Sequence, residues 1–210
     1  MRITVFGANG AIANHFVNHA LKAGHTLNLY ARRLTEFDDR EGIQSYVGNL
    51  TEYDKIKNAI EGSDAVVSFL GPALKFSYPG TPIEDGHRNI TIAMNELGIK
   101  RFMTIATPSV KFHKDKRSFI TVFPSVMAKT FMPKPYKEIV AAGEITKNSG
   151  LDWTIIRFLA PVNGVAKMDW KVTFGETNIK FKITREDIAL FALEELKENR
   201  FIQSMPIIGS

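Results

Sequence analysis

Apolar residues along this chain fall into two rhythms that take turns. Ile3 and Val5 alternate with polar neighbours as a strand requires. After a turn at residues 7–10, the apolar positions Ile12, Phe16, Val17, Ala20 and Leu21 recur as one face of a helix that stops at Gly24. The cycle then repeats. Residues 26–30 read as a second strand, and Ile43, Tyr46 and Val47 as a third that closes at Gly48-Asn49-Leu50. Thr51 as N-cap and Asp54 as first-turn acid introduce a helix carrying Ile56, Ala59 and Ile60, broken at Gly62-Ser63. Residues 65–70 form a continuous apolar run, the mark of a strand buried on both faces, ending at Gly71-Pro72. Pro and Gly make residues 73–86 a loop, Ile90, Ala93, Met94 and Leu97 a helix, and residues 102–106 a fifth strand. Residues 153–158 give another buried strand. Thr184, with Asp187 three residues on, caps a last helix whose Ile188, Ala189, Phe191, Ala192 and Leu196 face the core. Strands alternating with helices predict an α/β protein with a mostly parallel sheet flanked by helices. No repeat or linker interrupts the pattern, so residues 1–210 read as one domain.

The first strand–turn–helix unit carries the clearest chemistry. A glycine-rich turn at a helix N-terminus offers unpaired backbone N–H groups, here those of Gly7, Ala8, Asn9, Gly10, Ala11 and Ile12, together with the positive end of the helix dipole. Gly7 permits the tight turn, Gly10 a close approach by a pyrophosphate, and Ala13 the packing of helix on strand. At the end of the second strand, where an acidic residue would receive the ribose hydroxyls of NAD, the chain has Ala31-Arg32-Arg33. Two guanidinium groups in place of a carboxylate favour a 2′-phosphate, and so NADPH over NADH. Residues at the carboxyl ends of parallel strands line the ligand crevice, which brings in Asn49, Leu50, Phe69, Leu70 and Gly71 beside the adenine and ribose.

Composition removes several alternatives. With 44% hydrophobic residues the chain can bury a sizeable core, and with no cysteine it has no disulfide, thiolate zinc site or cysteine nucleophile. No apolar run approaches the roughly 20 residues of a membrane span and no leader pattern opens the chain, so the expectation is a cytoplasmic protein without a membrane partner. The net charge of +5 suits an anionic ligand or an ordinary soluble surface. Its densest basic run, residues 111–117, has only Phe112 as an aromatic platform, which argues against nucleic acid. His15 and His19 stand one helical turn apart without a carboxylate base between them, and read as a solvated face with no metal.

Taken together, GANGAIA (residues 7–13), VGNLTEYDKIKNAIEGSDAVVSFLG (47–71), GIKRFMTIAT (98–107), SGLDWTIIRFLAP (149–161) and ITREDIALFAL (183–193) resemble the atypical short-chain dehydrogenase/reductases. The likeness is to their NAD(P)H-binding, NmrA-like branch, which includes flavin reductases and biliverdin-IXβ reductase. It implies a Rossmann-like, doubly wound fold with NADPH along the strand ends. Ala106, Thr107, Leu159, Ala160 and Pro161 would then lie on the nicotinamide side, with Thr107 either donating a hydrogen bond there or capping its strand. Residues 108–135 and 160–182 would supply a substrate pocket. Within the first of these, residues 111–134 read as a long insertion rich in Phe and Met, suited to a planar ligand, a dimer surface or a satellite cluster, and residues 169–174 read as a hairpin at the pocket rim. Arg157-Phe158 stands where relatives usually have arginine-proline.

One departure from the family bears on mechanism. Relatives acting on alcohols and carbonyls carry Tyr-x-x-x-Lys, whereas alignment here sets Tyr136 in the tyrosine position and Val140 in that of the lysine. Lys137 projects about 100° away around the helix, and a phenol without a nearby cation titrates near 10, so Tyr136 is either a weak proton donor or a packing residue. Hydride transfer to a flavin or quinone tolerates that loss, because the acceptor delocalises charge and water can bring the proton. The expectation is an NADPH-dependent oxidoreductase for a small planar acceptor, monomeric or homodimeric, with a non-catalytic NADP(H)-binding sensor as the alternative. Sugar-nucleotide epimerases and dehydratases need the missing pair.

Overall fold

Strand β1 (Arg2–Phe6) is the axis of the structure, a computed structural model that describes residues 1–210. Its side chains alternate between two buried layers, with Ile3 and Val5 to one side and Thr4 and Phe6 to the other. β1 pairs in parallel with β2 (Thr26–Ala31) and with β4 (Ala65–Ser68); β3 (Ile43–Val47) lies outside β2, while β5 (Arg101–Ala106) and β6 (Asp152–Arg157) continue beyond β4. The register aligns the carboxyl ends: Phe6 is opposite Tyr30 and Ser68, Ser68 opposite Thr104, and Ala106 opposite Arg157.

Helices cover both faces, as a parallel sheet requires. On one side α1 (Ala11–Lys22) packs on α6 (Arg185–Glu198) over Val5, Leu29, Phe16 and Phe191. On the other, α3 (Pro82–Glu96) lies between α2 (Tyr53–Ile60) and α5 (Pro133–Lys147) over Phe6, Val66, Phe102 and Ile90. Each such aliphatic or phenyl side chain contributes about 1.5–3 kcal/mol relative to exposure. The architecture is the expected α/β, Rossmann-like one, with an eight-stranded sheet in the order β3-β2-β1-β4-β5-β6-β10-β8, where β8 is Lys171–Thr173 and β10 is Ile207–Gly209.

Several local expectations change. Residues 169–174 form no rim hairpin: β8 (Lys171–Thr173) is an edge strand, antiparallel to β10 (Ile207–Gly209), and Trp170 meets Phe191 edge-on at 6.0 Å. β10 inserts between β8 and β6, a pairing that three residues of sequence could not announce. β7 (Ala160–Val162) and β9 (Lys182–Thr184) make a separate two-stranded parallel sheet. Helix α3 starts at Pro82 and so takes in Gly86, where a Cβ would come within 2.9 Å of Leu50. Thr51 is not the cap of α2; Glu52 occupies that position and accepts the Asn49 N–H at 2.6 Å. Most of the expected insertion is helix α4 (Phe119–Phe131), opened by a Ser118–Thr121 capping box.

Candidate functional site

Gly7 leaves β1 with φ +76°, a left-handed conformation that favours glycine, and a Cβ there would lie 3.1 Å from the Phe69 carbonyl carbon. The turn therefore sits hard against the end of β4. Gly10 closes it by donating its N–H to Gly7 O at 2.8 Å, and then serves as N-cap of α1. No side chain caps this helix and no acid lies in its first turn, so its leading N–H groups stay unpaired and the local field is positive. Ala8 and Ala13 are buried beneath the turn, whereas Asn9 and Ala11 are exposed and Ile12 is half-buried.

The Asn9 side chain makes the connection that sequence reasoning missed. Its amide nitrogen donates to the Arg33 carbonyl at 3.1 Å, tying the glycine turn to the chain leaving β2. Arg32 and Arg33 are both exposed there and take part in no ion pair. Next along the edge, Gly48 lies against the Tyr30 ring, where a Cβ would overlap the hydroxyl. That hydroxyl donates to Asn49 O at 2.8 Å; burial, and then Glu52 nearby, push it up to about 12. Asn49 is thus fixed through its backbone while the residue stays exposed, and Leu50 is held by Asn89, whose amide donates to its carbonyl at 2.8 Å. Phe69 is buried at 5.2 Å from the Phe16 ring, Leu70 half-buried and Gly71 exposed.

At the ends of β5 and β6, Phe158 donates its N–H to Ala106 O at 3.2 Å, and the chain runs on through Leu159 into β7, where Ala160 and Pro161 pair with Lys182 and Ile183. Thr107 Oγ1 accepts the Ser109 N–H at 3.4 Å, leaving its own hydrogen free to donate. Ser109 Oγ is buried without a partner. The segment is anchored from below by Arg157, whose buried guanidinium holds Asp115 through two bonds of 2.6 and 2.7 Å and reaches Val110 O at 3.0 Å. Tyr136 is half-buried near the start of α5; Val140, one turn on, packs against the core and Lys137 is exposed. Two residues past Tyr136, buried Glu138 accepts the Ile83 N–H at 2.7 Å and caps α3 from another helix. Tyr78, on the loop before α3, is half-buried with its hydroxyl inaccessible beside Glu138, and its phenol is pushed up by burial and by that carboxylate.

Residues 7–199 match the model of a family described as NAD(P)H-binding. The chain belongs to that NAD(P)H-binding family. No curated protein sequence matches it. Among solved structures it is similar to a short-chain dehydrogenase/reductase from Veillonella parvula in complex with NADP, at 17% identity and a TM-score of 0.81, over 100% of this chain and 94% of the other. ChuY, an anaerobillin reductase from Escherichia coli O157:H7, is likewise 17% identical with a TM-score of 0.81, covering 100% and 97%. A putative NAD-dependent epimerase/dehydratase from Bacillus halodurans is 24% identical with a TM-score of 0.79, covering 100% and 94%. At these identities the likeness is one of fold.

The glycine turn and the strand ends described above lie at the carboxyl edge of the sheet. Two surface hollows lie at the other, amino edge, one lined by Ser63, Gly98 and Asp152, the other by Ala23, His25 and Leu193. Neither touches the glycine turn. His19, read as a solvated position, contacts Glu186 at 2.9 Å. The Ala166 N–H, and then His19, hold that carboxyl below the usual range.

Proposed function

We propose that the chain is an NADPH-dependent oxidoreductase that passes a hydride to a flavin, a quinone or a similar planar acceptor. The observation that carries this reading is the Asn9–Arg33 hydrogen bond, which joins an uncapped helix N-terminus to a loop bearing two guanidinium groups free of ion pairs. The fit to a dinucleotide is local and physical: the Gly7 turn has no room for a side chain, and no carboxylate competes in the first turn of α1. In this reading Gly7, Ala8, Asn9, Gly10, Ala11 and Ile12 surround the pyrophosphate, and Arg32 and Arg33 clamp the 2′-phosphate. Asn49, Leu50, Phe69, Leu70 and Gly71 flank the adenosine, with Ala106, Thr107, Leu159, Ala160 and Pro161 at the nicotinamide.

When bound, the nicotinamide supplies the hydride. The chain's own contribution is positioning, with Thr107 oriented to donate a hydrogen bond and residues 108–135 and 160–182 shaping the acceptor side. Tyr136 without a lysine is a poor proton donor, which favours acceptors that take their proton from water. The similarity in fold to a short-chain reductase crystallised with NADP supports the cofactor choice. Calorimetric titration with NADPH and NADH, followed by NADPH oxidation assays with FMN and a quinone series, tests the proposal. NADPH binding without turnover of any such acceptor would reject it.

Val140 in the lysine position also supports a second reading, a non-catalytic NADP(H)-binding sensor. Turnover of an acceptor at about 1 per second or more would rule that out. In either case we read the chain as one domain, monomeric or homodimeric.

A further inference from the structure

Helix α4 is turned the wrong way for a core helix. Phe119, Val122, Phe123, Val126 and Met127 recur at helical spacing, yet they face solvent, with Phe119 63%, Phe123 44% and Val126 57% exposed. Of its thirteen residues only Ile120 and Thr121 are buried. The exposed rings are ordered against one another: Phe119 stacks on Phe123 at 4.6 Å and on Phe181 at 5.9 Å with planes 3° apart. At the far end, Lys134 sits 5.5 Å from the Tyr78 ring centroid, which brings the loop carrying exposed Leu74 and Phe76 against the α4–α5 junction.

Within the segment that carries this face the charge has one sign, and a single exposed carboxylate, Glu176, stands nearby. Residues 116–137 contain Lys116, Arg117, Lys129, Lys134 and Lys137 and no carboxylate. Both acids that bound the segment are used internally: Asp115 is held by Arg157, and Glu138 accepts the Ile83 N–H. Across from Lys116, Glu176 accepts the Phe174 N–H at 2.8 Å. The partner that complements such a surface is apolar and anionic at once. A second copy meeting it through a two-fold axis would set these cations against themselves. An interface of acyl chains beneath anionic headgroups answers both demands, because it accepts protruding aromatic and aliphatic side chains and attracts the flanking lysines and arginine.

We propose that α4 is a peripheral membrane-docking helix that lays its Phe119–Phe123–Val126 face into an anionic phospholipid surface. This goes beyond the expected absence of a membrane partner, which rested on the lack of a spanning segment; no helix is long and apolar enough to cross a membrane. Docking of this kind needs none. It uses none of the dinucleotide-site residues, but α4 lies within residues 108–135, which the reductase reading assigns to the acceptor side.

Flotation of the intact protein with vesicles tests it, using phosphatidylcholine alone or mixed with phosphatidylglycerol, at 0.1 M and 0.5 M salt. The expected result is binding to the anionic vesicles about tenfold or more above that to the neutral ones, largely released by the higher salt. Phe123→Ser with Val126→Ser, and separately Lys116→Glu with Arg117→Glu, should each reduce binding about tenfold while thermal unfolding is unchanged, since these side chains are exposed. Equal or no binding to the two vesicle types overturns the proposal. So does sedimentation as a dimer that the Phe123→Ser, Val126→Ser variant converts to monomer, which would make the face an interface between copies.

Discussion

Arg157 and Asp115 form a two-point ion pair, at 2.6 and 2.7 Å, in which the guanidinium is wholly buried at the end of β6. The same guanidinium donates to the carbonyls of Val110 and Met205, so it staples the segment after β5 to the chain before β10. Cutting one member leaves a buried charge unpaired. Asp115→Ala is expected to cost about 3–5 kcal/mol in urea denaturation. A loss below about 1 kcal/mol would mean that water reaches the guanidinium.

Cofactor preference is expected to reside in the arginines after β2. Arg32→Ala and Arg33→Ala should each weaken NADPH roughly ten- to a hundredfold, the equivalent of about 1.5–3 kcal/mol for a hydrogen bond to a charged group, and leave NADH nearly unchanged. Equal losses for both dinucleotides in calorimetry would place the 2′-phosphate elsewhere.

Gly7→Ala should fail twice over. The left-handed φ of +76° strains any Cβ, and the Phe69 and Leu70 backbone gives it no space to move. The expected result is a stability loss of about 1–3 kcal/mol, with dinucleotide affinity falling further than stability. Unfolding curves and NADPH titration on the same preparation separate the two effects.

His87 gives the protein a defined acid weakness. Its Nδ1–H donates to Ile83 O at 2.8 Å, so Nε2 accepts from the Thr104 hydroxyl at 2.9 Å, and the buried ring is neutral. Burial lowers its pKa from 6.5 to about 4. The unfolded chain therefore takes up a proton at a higher pH than the folded one. The resulting stability is complete above pH 6.5 and is lost as pH falls towards 4, by roughly 3 kcal/mol. His87→Gln should flatten that part of the Tm–pH curve whatever its own stability, and an unchanged slope would contradict the assignment.

How far the sequence could be read depended on whether a feature was local. The β1–turn–α1 unit, the strand ends and the Thr184 cap of α6 all lie within a few residues of their causes, and the Thr184–Asp187 bonds of 2.7 and 2.9 Å are as expected. The pairs that shape the site are not local. Asp115 finds Arg157 across 42 positions, and Glu138 caps Ile83 across 55. Periodicity was also ambiguous for α4: its stripe at 119, 123 and 126 is helical, but spacing alone does not say which way a helix faces, and Pro124 obscured it. Arg157 offered a signal of another kind, an arginine inside an otherwise apolar strand, which calls for a buried acid somewhere in the chain.

The position of β10 bears on how the protein is made. Residues 207–209 are threaded between β6 and β8, and Arg157 Nε reaches the Met205 carbonyl at 2.8 Å just before them. This half of the sheet therefore waits for residues 207–209 to be synthesised. The glycine turn, β2 and β4 can assemble on the ribosome, whereas the edge of β6 stays open until residues 207–209 have emerged. Protease pulses on stalled nascent chains should find the first 110 residues protected well before β6 is.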